Sequence, residues 1–304
     1  GETEIVYRFP SLLFGVLSIP LMYRLGLALK FPWSSALLSS ILMALSWPHL
    51  KYSMEGRGYG ITIFLVLLVI YSAIQFLNTS RWVWGSILIV SGFAMTMALP
   101  SNLFFLGGLT VFTIMAGWFE SGERRFNIKG LFRLAIPQLI MFALIGVYFL
   151  TIYDGLKRGE HLYTQPLGEA QIENTTRFLV APWGFWMYLF FVLGAWRLRR
   201  AREIILFISV ILIPIILTLL TAMVGFARTY VYWLPFVLFL SAYGMIELIS
   251  WLKKQIGNLA YGLGVGVVFL LVFSPAKKIS KYYKARDNGS LVVAGPNATL
   301  SEAT

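Results

Sequence analysis

Residues 47 to 60 read Trp-Pro-His-Leu-Lys-Tyr-Ser-Met-Glu-Gly-Arg-Gly-Tyr-Gly, which gathers His49, Lys51, Tyr52, Glu55, Arg57 and Tyr59 at the edge of an apolar run. The chemistry these side chains offer is capture of an oxyanion. A guanidinium presents a planar fork of donors that matches phosphate or carboxylate better than an ammonium does. If the stretch is one continuous helix, Tyr52, Glu55 and Tyr59 share a face, Lys51 reaches Glu55 at i+4, and Arg57 points roughly the other way. Arg57 then needs a partner of its own. A charge facing lipid is costly, so a water-filled cavity or an anionic head group is the natural one. Gly56, Gly58 and Gly60 take side chains away from alternate positions, which lets a backbone or a ligand come close. The same residue types also make up the ordinary head-group belt of a membrane protein, so anchoring stands beside binding as a reading of this stretch.

A second candidate is Gly225-Phe-Ala-Arg228-Thr-Tyr230, followed by Val-Tyr-Trp-Leu-Pro235. Arg228 is the only charged residue between Glu203 and Glu247. It suits a phosphate, with Tyr230, Tyr232 and Trp233 placed to flank a sugar or a prenyl chain, but an arginine at a helix end can also simply snorkel to the interface. A third is the opening decapeptide, where Glu2, Glu4 and Arg8 lie close together. The chain carries no Walker loop, nucleophile elbow, zincin motif or EF-hand loop, and Gly-Arg-Gly-Tyr-Gly lacks the spacing of a dinucleotide fingerprint. With no Cys and two His, thiolate metal sites are excluded and a histidine cage has too few ligands. Nothing in the sequence requires a cofactor, although a divalent metal remains compatible with it.

The elements that must position these residues follow from composition. Of 304 residues, 58% are hydrophobic and 12% charged, half the charge of an average soluble protein. An integral membrane protein is the class that fits. Runs near the length of a membrane span fall at 9–29, 33–48, 58–77, 82–99, 101–119, 131–153, 181–196, 203–223, 230–249 and 257–274. These predict an all-α, polytopic bundle of about ten transmembrane helices, because backbone polar groups in lipid must be satisfied within each segment and no barrel-like alternation is present. Assigning alternate loops to opposite sides puts 13 Lys and Arg on one face, clustered as in Arg-Leu-Arg-Arg-Ala-Arg at 197–202, against 7 mostly isolated ones on the other and 5 more in the tail on that second side. The first face is then cytoplasmic. The net charge of +12 is largely this topology signal and gives no reason to expect nucleic acid as a partner. All three candidate regions fall on the outer side, with a polar loop at 154–180 and a tail at 275–304 that dangles or opens a soluble domain. Residues 1–274 form the membrane domain. A polar start at Gly1 without a signal-peptide pattern predicts an upstream segment.

Glu4-x-x-x-Arg8-Phe-Pro-Ser running into an apolar span, then Ser46-Trp-Pro-His-Leu-Lys-Tyr-Ser-Met-Glu-Gly-Arg-Gly-Tyr59, then Arg228 with Pro235, resemble the glycosyltransferase C superfamily. The nearest branch is that of dolichyl-phosphate-mannose protein mannosyltransferases and the lipid A aminoarabinose transferase. The resemblance covers about residues 1 to 250. It implies a plasma-membrane enzyme that takes a sugar from a polyprenyl-phosphate donor, within the membrane, to an extracytoplasmic acceptor. It also implies a substrate-binding set of Glu4, Arg8, His49, Lys51, Tyr52, Glu55, Arg57, Tyr59, Arg228 and Tyr230. The family's acidic catalytic residue lies in a first outer loop that this sequence does not include, so the base is unassigned and the fragment is expected to be inactive alone. A glycan polymerase or ligase would use outward arginines on a lipid-linked sugar in the same way. A transporter or flippase would normally show repeats or midplane polar groups.

Overall fold

The computed structural model describes residues 2–120, 128–163, 169–180, 183–221 and 227–273. Every regular element among them is helical. In chain order these are α1 (Glu2–Ala28), α2 (Trp33–Leu45), α3 (Trp47–Met54), α4 (Gly58–Thr79), α5 (Trp82–Ala98), α6 (Asn102–Glu120), α7 (Ile128–Tyr163), α8 (Glu169–Val180), α9 (Phe185–Arg197), α10 (Ala201–Thr221), a 3-10 segment (Ala227–Trp233), α11 (Leu234–Ile256) and α12 (Asn258–Phe273). The all-α expectation is met. The tail at 275–304 lies outside the described residues.

Five stretches are long and apolar enough to cross a membrane: Val6–Ala28, Gly58–Thr79, Ala135–Gly155, Ala201–Thr221 and Arg228–Ile256. A sixth is possible if α8 and α9, which meet at 86°, are one broken span. The remaining apolar helices, in α2, α5, α6 and α12, have 10 to 17 residues. At 1.5 Å per residue the 13 residues of α2 rise only about 20 Å, short of a hydrocarbon core of about 30 Å. Length and apolarity therefore support five or six spans rather than the full set of ten.

Two boundaries differ from the sequence reading for identifiable reasons. The run 33–48 is not one helix. The chain extends at Ser46 (φ −68°, ψ 126°), and α3 restarts with Pro48 in its first turn, where a missing N–H costs nothing. The polar stretch 154–180 is not an open loop either, since α7 continues to Tyr163 and α8 begins at Glu169. Its average composition is polar, but α8 is amphipathic. Thr175, Leu179 and Val180 are buried, while Glu173, Asn174 and Arg177 face out.

The bundle is organised around α4 and α11. Two thirds of the apolar window of α4 is buried and 61% of that of α11, against 22% for α7, so the first two are central and α7 is peripheral. Leu150, Trp196 and Leu220, each more than three quarters exposed, form apolar outer faces suited to lipid. Helices α9 and α11 meet at Gly194 and Gly244, where a methyl group on Gly194 would strike the Leu240 carbonyl and one on Gly244 the Phe190 carbonyl. Small residues permit that backbone approach.

The arginine cluster at 197–202 has structural duties as well. Lys30 closes α1 in the left-handed region (φ 60°), with Phe31 N–H donating to the Gly26 carbonyl at 3.1 Å. Arg200 donates to the carbonyls of Lys30 (2.8 Å) and Leu29 (3.4 Å) and to Glu203 Oε1 (3.0 Å). Arg202 donates to Asn78 Oδ1 (2.8 Å) and the Ile74 carbonyl (3.4 Å). Cations thus cover the carbonyl-rich ends of α1 and α4, where the helix dipole favours positive charge. Arg197 pairs with Glu247 at 3.7 Å.

Candidate functional site

The stretch 47–60 is held by α1, which runs antiparallel to α3. Ser11, Gly15 and Ser18 lie at i, i+4 and i+7 on α1 and form one stripe. Ser11 Oγ donates to the Arg57 carbonyl at 3.0 Å. Gly15 has no side chain where Ser53 packs, and a methyl group there would strike the Ser53 hydroxyl. Ser18 Oγ donates to the Gly15 carbonyl at 2.6 Å and lies 2.8 Å from His49 Nε2, which is itself 3.1 Å from the Gly15 carbonyl. Ser53 Oγ donates back to the His49 carbonyl at 2.7 Å. His49 is therefore a buried clamp between α1 and α3, 3% exposed, rather than a group presented at the outer surface. Its burial, only partly offset by the Gly15 carbonyl, lowers the imidazole pKa and keeps the ring neutral.

The helix does not run on from Tyr52 to Tyr59. It ends at Met54, Gly56 turns the chain with φ +64°, and Arg57 is the extended residue from which α4 starts. Tyr52 and Tyr59 still meet, with ring centroids 4.7 Å apart, but the kink brings them together rather than helical phase. The expected Lys51–Glu55 pair forms at 3.7 Å, both side chains about a quarter exposed, and Lys51 Nζ sits 5.9 Å above the Tyr52 ring. Arg57 is exposed. The three glycines serve backbone approach. A Cβ on Gly56 would lie 3.1 Å from the Tyr7 carbonyl oxygen, on Gly58 2.7 Å from that of Ala98, and on Gly60 2.8 Å from that of Tyr52. Each place the sequence left for a neighbour is filled by protein. Arg8 is half-buried with its Cγ beside Gly56, so the opening segment does reach this stretch. The side chain of Glu4 lies outside the described residues.

The second candidate region comes to the same place. The 3-10 segment packs on α8 and α4, and Phe178 of α8 lies 5.7 Å from the Tyr52 ring. Tyr52 is the buried hub, 4% exposed. Its phenol is pushed well above the ordinary tyrosine range, first by burial, then by the charge of Glu55 and by Tyr59, with Arg228 and Arg57 pulling the other way. The fields of both arginines therefore reach one hydroxyl. Tyr230 does not open as a clamp. It is buried and stacked on Trp233 (5.0 Å, 19°), Tyr232 packs against Phe105 at 5.5 Å, and Trp233 Nε1 donates to the Val210 carbonyl at 3.1 Å. These rings anchor the segment that carries Arg228.

Sequence reasoning missed Ser11, Ser18 and Phe178. The spacing of Ser11, Gly15 and Ser18 was a usable signal, since small and polar residues at helical period mark helix contacts in membranes. Phe178 carried none. Among the described residues no three His, Asp or Glu side chains gather as a metal set. No family model matches the chain, and no curated protein matches it.

Proposed function

We propose that this chain is a membrane glycosyltransferase that moves a sugar from a polyprenyl-phosphate donor to an extracytoplasmic lipid, glycan or protein. The observation that carries the reading is that the segment 227–233, far from 47–60 in sequence, packs on α4 and on α8, the helix whose Phe178 meets the buried Tyr52 ring. Guanidinium groups on these two stretches would offer charge-assisted donors to a leaving phosphate, which is where negative charge grows as a glycosyl phosphate bond breaks. Lys51 lies over the Tyr52 ring and pairs with Glu55, and the two would help orient the donor. The activated donor needs no nucleotide. The reaction also needs a carboxylate to deprotonate the acceptor, and that role is not assigned to any residue named in this site.

The reading includes ten spans, with α2, α5, α6 and α12 crossing as short or tilted helices and α8 lying at the outer surface ahead of α9. The site then faces outward and the 197–202 cluster inward, as the charge asymmetry requires. The test is donor binding by the full-length enzyme. Replacing Arg57 or Arg228 by Lys keeps the charge and loses the fork, so affinity should fall, and Ala should lower it further. Loss of a charge-assisted hydrogen bond, about 1.5–3 kcal/mol, corresponds to roughly one to two decades in Kd. Unchanged affinity in folded R57A and R228A protein, or equal losses in R199A, refutes the assignment.

A further inference from the structure

The break between α2 and α3 is buried and polar. Ser46, the residue before α3, is fully buried, and His49 is 3% exposed. Ser46 Oγ and His49 Nδ1 both lack a hydrogen-bond partner, and Ser46 makes no side-chain cap to the α3 backbone. The two residues stand three apart at the first turn of α3. That spacing is the one capping pairs use at a helix start.

Donor and acceptor roles can be assigned. Ser18 spends its proton on the Gly15 carbonyl at 2.6 Å. The 2.8 Å contact to His49 is therefore one in which Nε2–H donates to the serine oxygen, shared with the Gly15 carbonyl at 3.1 Å. The ring proton is on Nε2, and Nδ1 is a bare acceptor facing away from α1. Ser46 supplies a hydroxyl proton. One buried donor, the Ser46 hydroxyl, and one buried acceptor, His49 Nδ1, thus stand at the break without a partner.

We propose that the α2–α3 break is a hydration site for one water molecule, which accepts the Ser46 hydroxyl proton and donates to His49 Nδ1. A buried water makes about two to four hydrogen bonds to polar groups that would otherwise go unsatisfied, and broken helices inside membrane proteins satisfy their freed groups in this way. The water ends the polar seam that begins where Ser11 meets Arg57, and it fixes the histidine tautomer that clamps α3 to α1.

The experiment is nitrogen NMR of histidine-labelled protein in lipid bilayers, using the full chain with His161→Gln so that His49 is the only histidine. The expected spectrum is a neutral ring protonated on Nε2, with Nδ1 shifted from its free position by a hydrogen bond and correlated with water protons. Ser46→Val fills the space and removes the donor, and should move Nδ1 to its free position. A proton on Nδ1, a free Nδ1 in the unsubstituted ring environment, a correlation with the serine hydroxyl instead of water, or an unmoved Nδ1 in folded S46V protein each overturns the site.

Discussion

Gly60→Ala separates the packing argument from helix propensity. An ideal Cβ on Gly60 would lie 2.8 Å from the Tyr52 carbonyl oxygen, 3.2 Å from its carbon and 3.4 Å from the Ser11 oxygen. A carbon and a carbonyl oxygen rest at about 3.3 Å or more, so α3 must retreat by roughly 0.5 Å, and the atoms in the way are backbone, which cannot rotate aside. Overpacking of this kind costs about 1–3 kcal/mol. Gly146 in α7 is the control, because a Cβ there meets nothing within 4 Å and Ala should gain about 0.5–1 kcal/mol by propensity. Gly60 is in the first turn of α4, so its own propensity gain is no larger. The two variants should therefore differ by at least the overpacking cost, with G146A the more stable. Equilibrium unfolding of each in the same detergent, followed by tryptophan fluorescence, measures the gap. Equal stabilities would mean that α3 is not held against α4 as described, and the placement of Tyr52 would fall with it.

Four further outcomes follow from the same geometry. Arg200→Ala exposes the carbonyls of Leu29 and Lys30 and leaves the buried Glu203 carboxylate without its 3.0 Å donor, so unfolding free energy should drop by about 1.5–3 kcal/mol, with Glu203→Gln recovering part of it; equal loss in exposed R199A refutes the tie. Tyr52 should stay protonated in alkali where ordinary tyrosines ionise near pH 10; because its folded pKa is raised, the stability it gives is full below that pH and declines above it as the unfolded chain ionises, and a Y52F protein that loses a tyrosine's share of phenolate absorbance at about pH 10 would contradict this. In the ten-span reading, Cys at position 169 should react with a membrane-impermeant thiol reagent in intact cells and Cys at 199 should not; the reverse pattern inverts the topology. Residues 1–304 alone should show no sugar transfer, and turnover by them would move the base to a carboxylate within this chain.

How much of this was legible depends on the range over which the determining forces act. Apolar runs set the helices, because lipid leaves the backbone no other partner. Nine of the ten expected segments each fall mainly on one helix, although α1 starts well before its run and α7 and α11 continue well past theirs. The second did not, because hydropathy does not register an extended serine followed by a proline in the first turn of α3. The Lys51–Glu55 pair is a one-turn relation and was readable. The Tyr52–Tyr59 contact named the right residues for a different reason, since Gly56 breaks the helix whose periodicity suggested it. What the chain could not announce was that the segment at 227–233 folds onto α8 and α4, because nothing local in Arg228 or Tyr230 specifies a partner that far away.

The fate of the aromatic residues shows where the two kinds of signal part. Tyr230, Tyr232 and Trp233 carry the composition of a sugar-binding clamp, yet burial of their rings against one another and against α6 and α10 uses the surfaces such a clamp would need. Tyr52 carries the same composition and is as well buried, but it differs in what surrounds it: the charges of Glu55, Arg228 and Arg57 bear on its hydroxyl, whereas Tyr232 packs among the rings of Phe105, Tyr230 and Trp233. Residue type alone treats the two tyrosines alike. The charges that converge on one of them, supplied by segments separated along the chain, make Tyr52 the tyrosine to substitute first.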